Sequence, residues 1–182
     1  MRHVVKPAAA QEPSGRKAAV RVRVSGFAHQ SVGPGDVVVA VGRVPNFHLA
    51  GLNEIAFLPE EAAWHKAGVQ AVYFQAERCI RFLCLPPLPL FYHVLYHEIG
   101  HHVFALVISS KVKTLWVNRI ASQAPSVSAY GAICPQEDFA EAYAMYLSPE
   151  VARGAAAAMK LDFMRQLVFS GDPWTLKERH ML

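Results

Sequence analysis

The chain has 182 residues, a formal net charge of +4 and three cysteines. That length fits one domain able to bury a core without disulfides, and an odd number of cysteines, with no metal-binding spacing among Cys79, Cys84 and Cys134, points to reduced thiols. No run approaches the ~20 apolar residues of a membrane span, and the N-terminus lacks the apolar core of a signal peptide, so a soluble chain, cytoplasmic by default and monomeric, is expected.

Residues 1–17 carry Pro7, Pro13, Ser14 and Gly15 among scattered bases and read as a disordered tail, leaving 18–182 as a single domain. From Ala19 to Val24 valine and arginine alternate, which predicts a strand with its charges on a solvated face. The net charge therefore does not point to a nucleic-acid partner. The β-branched run Val37 to Val44, after Pro34-Gly35-Asp36, and the stretch Glu54 to Leu58 predict two further strands. Glu60 to Lys66 reads as a short helix or turn. Val69 to Gln75 and Cys79 to Cys84 read as a hairpin around Ala76-Glu77-Arg78, and Cys79 to Cys84, ahead of the next helix, is the candidate edge strand, open to pairing with an extended backbone.

Pro86, Pro87 and Pro89 punctuate the approach to a helix running from Phe91 to Ile108. Its apolar residues Val94, Leu95, Ile99, Val103, Phe104, Leu106 and Val107 fall on nearly every side of the cylinder, so the helix is expected to be buried. It carries His97-Glu98-Ile99-Gly100-His101. Two histidines four apart stack on one helical face and can converge on one ion about 2 Å from each nitrogen. Glu98, between them, can reach a water at that ion and act as a general base without becoming a ligand. Next, Val112 to Ala121 sets Val112, Leu115, Trp116 and Ile120 at helical spacing as a core-facing stripe.

A second helix opens at Pro135, a residue suited to the first turn, with Glu137 and Asp138 at the positive end of the dipole. Ala140, Ala142 and Ala144 keep it thin enough for close packing on another helix. Glu137 can complete a His-His-Glu site that leaves a fourth position for water. One turn on, Glu141 can accept the other ring N–H of a ligating histidine. Ser148-Pro149-Glu150 then opens a last helix, running to about Phe169 and stopped by Gly171-Asp172-Pro173.

Tyr130-Gly131, a glutamate seven residues after that tyrosine, and the string Glu137-Asp138-Phe139-Ala140-Glu141-Ala142-Tyr143 resemble the catalytic domain of anthrax lethal factor and the Pro-Pro endopeptidases, which are gluzincin metallopeptidases. The resemblance covers about Phe91 to Leu147. It implies a zincin-like α+β fold with a small N-terminal mixed β-sheet, a buried active-site helix carrying HEIGH and a C-terminal helical subdomain. It further implies a zinc endopeptidase acting on peptide or protein substrates, with one zinc ion on His97, His101 and Glu137. In that scheme Glu98 is the base, Tyr130 stabilises the oxyanion and Glu141 supports the ligands. The chain departs from the pattern at Asp138, where an aromatic is expected, and the departure touches packing.

Other branches fit less well. The extended metzincin pattern needs Gly and His where this chain has Phe104 and Val107. Thermolysin-like enzymes place their ligand glutamate much nearer the second histidine than the 36 residues between His101 and Glu137. Two alternatives stay open: a repressor-clipping type of HExxH protease, and a latent or inactive zinc-bearing binding module, with Cys134 as a possible thiolate ligand in a latent form. Among the other histidines, His93 is expected at the rim of the site and His102 packed or solvated away from it. His3, His29, His48, His65 and His180 are read as surface residues.

Overall fold

A computed structural model describes residues 21–64, 68–148 and 155–171. The readings of residues 1–17, His3, His65 and His180, and of the starting and stopping signals at 149–150 and 172–173, lie outside the described residues. The chain is mixed α+β. Strands β1 (Arg23–Ser25), β2 (Glu54–Phe57), β3 (Ala71–Phe74) and β4 (Cys79–Phe82) form one sheet in the order β1-β2-β4-β3. β1 pairs with β2, and β2 with β4, in parallel, while β3 and β4 form the expected antiparallel hairpin. Its turn places Arg78 in the left-handed region, at φ 56°.

Five α-helices occur among the described residues: α1 (Pro34–Val41), α2 (Leu88–His102), α3 (Ser110–Leu115), α4 (Pro135–Leu147) and α5 (Ala155–Phe163). Wider π turns extend α2 over Val103–Val107, α3 over Trp116–Ala121 and α5 over Met164–Val168. None of these helices is long and apolar enough to cross a membrane. Along the α3 stripe, Val112 and Trp116 are fully buried, but Leu115 is left exposed.

Two expectations about the sheet are corrected. The Val37–Val44 run is not a strand: it lies mostly in α1. Pro34 occupies the first turn, and the Asp36 carboxylate accepts the Gly33 N–H at 2.8 Å, so helix-starting signals outweigh the β preference of the valines. Val37 and Ala40, three apart, are buried while Val38 and Val39 face out, a helical rather than an alternating pattern. Topology favours the same result, because two adjacent parallel strands need a crossover, usually helical, and α1 lies in the connection between β1 and β2. The second correction concerns the edge. Cys79, Ile80 and Phe82 of β4 are buried, which suits an inner strand, so β4 sits between β2 and β3, and β3 forms the edge.

The core joins the sheet to α2 through Phe27, Phe82 and Phe91, and α2 to α4 through a close crossing. A Cβ on Gly100 would lie 2.9 Å from the Ala140 Cα and 3.2 Å from the Tyr143 Cβ. A larger residue at either small position would force the helices apart. His48, read as a surface residue, is instead fully buried. Its Nε2–H donates to the Val168 carbonyl at 2.9 Å, an acceptor that fixes the tautomer, and its Nδ1 accepts from the Tyr143 hydroxyl at 2.8 Å. His29 is exposed, as expected.

Gly100→Ala should destabilise the fold by about 1–3 kcal/mol through overpacking, read as a lowered urea midpoint. Burial lowers the His48 pKa from 6.5 to about 4. Above pH 6.5 neither state binds the proton. As pH falls from 6.5 toward 4, the unfolded chain binds a proton that the folded chain refuses, so stability is lost over that window, by roughly 2–3 kcal/mol near its lower end. Comparing urea midpoints of the parent and His48→Gln across this range should show a shallower acid slope in the variant; parallel slopes would contradict the assignment.

Candidate metal centre

The α2–α4 crossing brings together the three residues read as ligands. His97 Nε2 and His101 Nε2 lie 3.0 Å apart, and Glu137 Oε2 lies 3.1 Å from the first and 3.2 Å from the second. A tetrahedron with bonds of about 2.0–2.1 Å has edges of about 3.3–3.4 Å, so this triangle is close to the size that a bound ion sets. Among the described residues, His97, His101 and Glu137 form the group that could hold a metal ion, and Cys134 is not part of it.

Hydrogen bonding shows what suits the group to a cation. Glu141 Oε1 lies 2.7 Å from His97 Nδ1. A carboxylate accepts, so the proton of neutral His97 sits on Nδ1 and its Nε2 presents a lone pair to Glu137 and His101. Although near both rings, Glu137 Oε2 is buried with no hydrogen bond of acceptable geometry. The His97 Nε2 lone pair and the Glu137 oxygen thus both face His101 Nε2, and with His101 also presenting its lone pair a divalent ion would satisfy all three. Electrostatics point the same way. Burial alone would lower the His97 pKa, but the Glu137 and Glu141 carboxylates outweigh it and raise it to about 9. Burial would raise Glu137, but His101 and His97 pull it down to about 2. Glu141 is likewise held far below the carboxylate range, against its burial, by His93, His97 and Ser128. A metal ion would displace the proton that this negative cluster attracts.

His97 lines a cleft of about 510 Å³ together with residues 68–71 leading into β3, His93, Val94 and Glu98 of α2, Glu141, Tyr130 and Ile133. Glu98 is buried beside the two histidines. Burial raises its pKa, helped by Glu137 and opposed by His97, His101 and the backbone N–H of Tyr73. The Tyr130 ring stands 5.5 Å from the His97 ring and is 54 % exposed. Burial, with the nearby Glu137, Glu98 and Glu141, moves its hydroxyl pKa up. His93 takes the expected rim position, with Nε2 3.3 Å from Glu141 Oε1.

Several supporting residues were missed by the sequence reading. His102 does pack away from the ligand pair, but it donates from Nε2 to the Ala50 carbonyl at 3.1 Å and accepts at Nδ1 from the Tyr73 hydroxyl at 2.9 Å. It therefore fastens edge strand β3, which borders the cleft, to the ligand helix. Ser128 accepts the Gly131 N–H at 2.9 Å and hydrogen-bonds Glu141. Asp138 is buried and ion-paired with Lys160, and its departure from the expected aromatic was the one visible sign of that pair.

No family model, curated protein or solved structure matches the chain.

Titration with zinc should show one equivalent bound per chain. His101→Ala and Glu137→Ala should abolish that binding, while Glu141→Ala should weaken it about 10–100-fold. Unchanged binding in Glu137→Ala would remove α4 from the metal centre.

Proposed function

We propose that the protein is a zinc-dependent endopeptidase of the gluzincin type with a zincin-like fold. The observation that carries this reading is the His97-His101-Glu137 triangle, whose His97 lines a cleft that also holds a buried carboxylate, Glu98, and a tyrosine, Tyr130. Three protein donors and one open side are the pattern of a catalytic rather than a structural zinc site. The mixed sheet, with an antiparallel edge strand beside the ligand helix, supports the same reading.

Zinc held by these residues would supply Lewis acidity to a water and to a carbonyl oxygen. Glu98 takes the proton of the attacking water on its carboxylate and returns it to the leaving amine nitrogen; burial, by raising its pKa, helps it hold that proton between the two transfers. The Tyr130 hydroxyl donates to the oxygen that gains charge as the carbonyl becomes tetrahedral. Glu141 holds the His97 Nδ1–H and keeps that ring turned toward the site.

Substrate would lie along β3. Its outer edge borders the cleft, so an extended peptide can add to the sheet there by backbone pairing, rather than at β4. Val69, Ala71, Val94 and Ile133 line the cleft and no lysine or arginine does among the described residues, which suits uncharged side chains.

Profiling on a diverse peptide library tests the reading. Glu98→Gln should bind zinc like the parent while losing about a thousandfold or more in turnover. Tyr130→Phe should lose about a hundredfold in kcat. Full zinc loading with no cleavage of any peptide by the parent would overturn the peptidase reading.

A further inference from the structure

We propose that Asp138, held in place by Lys160, is the positioning residue for Tyr130, an inference that rests on the reading of Tyr130 as the oxyanion donor. Tyr130 is 54 % exposed, so packing of its own ring does little to fix it. Its place must come from the backbone on either side. That backbone lies against Asp138. Asp138 Oδ1 accepts the Val127 N–H at 3.2 Å, and a Cβ on Gly131 would meet the Asp138 Cα at 3.2 Å and Oδ1 at 3.3 Å. Residues 127–131 therefore rest directly on the first turn of α4, beside Glu137.

Lys160 fixes the other oxygen. Its Nζ lies 2.5 Å from Asp138 Oδ2, with the lysine side chain fully buried and the aspartate 2 % exposed. The Nζ also lies 5.9 Å from the centre of the Trp116 ring, and the Trp116 Nε1–H donates to the Pro135 carbonyl at the start of α4. A buried ion pair is a poor device for stability, because well-packed apolar residues of similar volume are often neutral or better. This pair adds direction: with Oδ2 committed to Lys160, Oδ1 stays aimed at Val127. The arrangement joins α5 to the tyrosine through two side chains.

Two folded, neutral variants of the full chain, loaded with zinc, separate this role from simple stabilisation. Asp138→Leu with Lys160→Met removes both charges and the acceptor, whereas Asp138→Asn with Lys160→Met removes the charges but keeps an acceptor for Val127. In the first, amide exchange at Val127 should rise about tenfold or more and kcat should fall about ten- to a hundredfold, with zinc content and KM little changed. The asparagine variant should restore most of both. Placed in a Tyr130→Phe background, the leucine variant should cost almost nothing further in kcat. Unchanged exchange at Val127 in the leucine variant would overturn the proposal, as would an equal kcat loss with and without the tyrosine hydroxyl. If the parent cleaves no peptide, the peptidase reading fails on its own, while exchange at Val127 still decides whether Asp138 holds the loop.

Discussion

The rest of the structure depends on the contact at which α2 crosses α4. With no side chain at Gly100, the backbone at Ala140 approaches until a single added carbon would be 2.9 Å away. That approach sets the separation between the histidines of one helix and the glutamate of the other. Close packing has little freedom to relax, so the size of the donor triangle is a property of the core rather than of three flexible side chains. The aromatic rings around the crossing, Phe139 against Phe104 and Trp116, keep it from opening.

The first two turns of α4 point their three acidic residues at three different sets of partners. Glu137 faces the ring nitrogens, Asp138 turns to Lys160 and the Val127 amide, and Glu141 returns to His97, His93 and Ser128. Successive side chains on a helix point about 100° apart, so one short segment serves the metal group, the tyrosine-bearing loop and the orientation of a ligand ring together. Concentrating carboxylates here is tolerable because each has a cationic, N–H or O–H partner, or in the case of Glu137 a group of donors suited to a cation.

The convergence of the candidate ligands was legible in the sequence because helical geometry converts spacing into direction: His97 and His101 at i and i+4, and Glu137 and Glu141 at i and i+4, meet once two helices cross. The β3–β4 hairpin was legible for a similar local reason. The Val37–Val44 run misled because its β-branched residues argue for a strand while the capping at Gly33 and Asp36, and the crossover demanded by parallel pairing, argue for a helix. Strand order is a non-local property, so the identity of the edge strand could not be read from the strand sequences. Burial of His48 and Lys160 was equally hidden, since their partners Tyr143 and Asp138 lie 95 and 22 residues away.

The segment that follows α5 limits how far this protein could be cut down. Phe169 stacks on Tyr143 and Tyr146 at 5.0 Å and 4.3 Å, and the neighbouring Val168 carbonyl accepts the His48 Nε2–H. Tyr143 is also the residue whose Cβ bounds the space at Gly100. A minimal fragment built from the two ligand helices alone would therefore expose the back of its own helix crossing. A unit that keeps this crossing covered extends from His48 at least through Phe169, even though the candidate ligands His97, His101 and Glu137 all fall between positions 97 and 137.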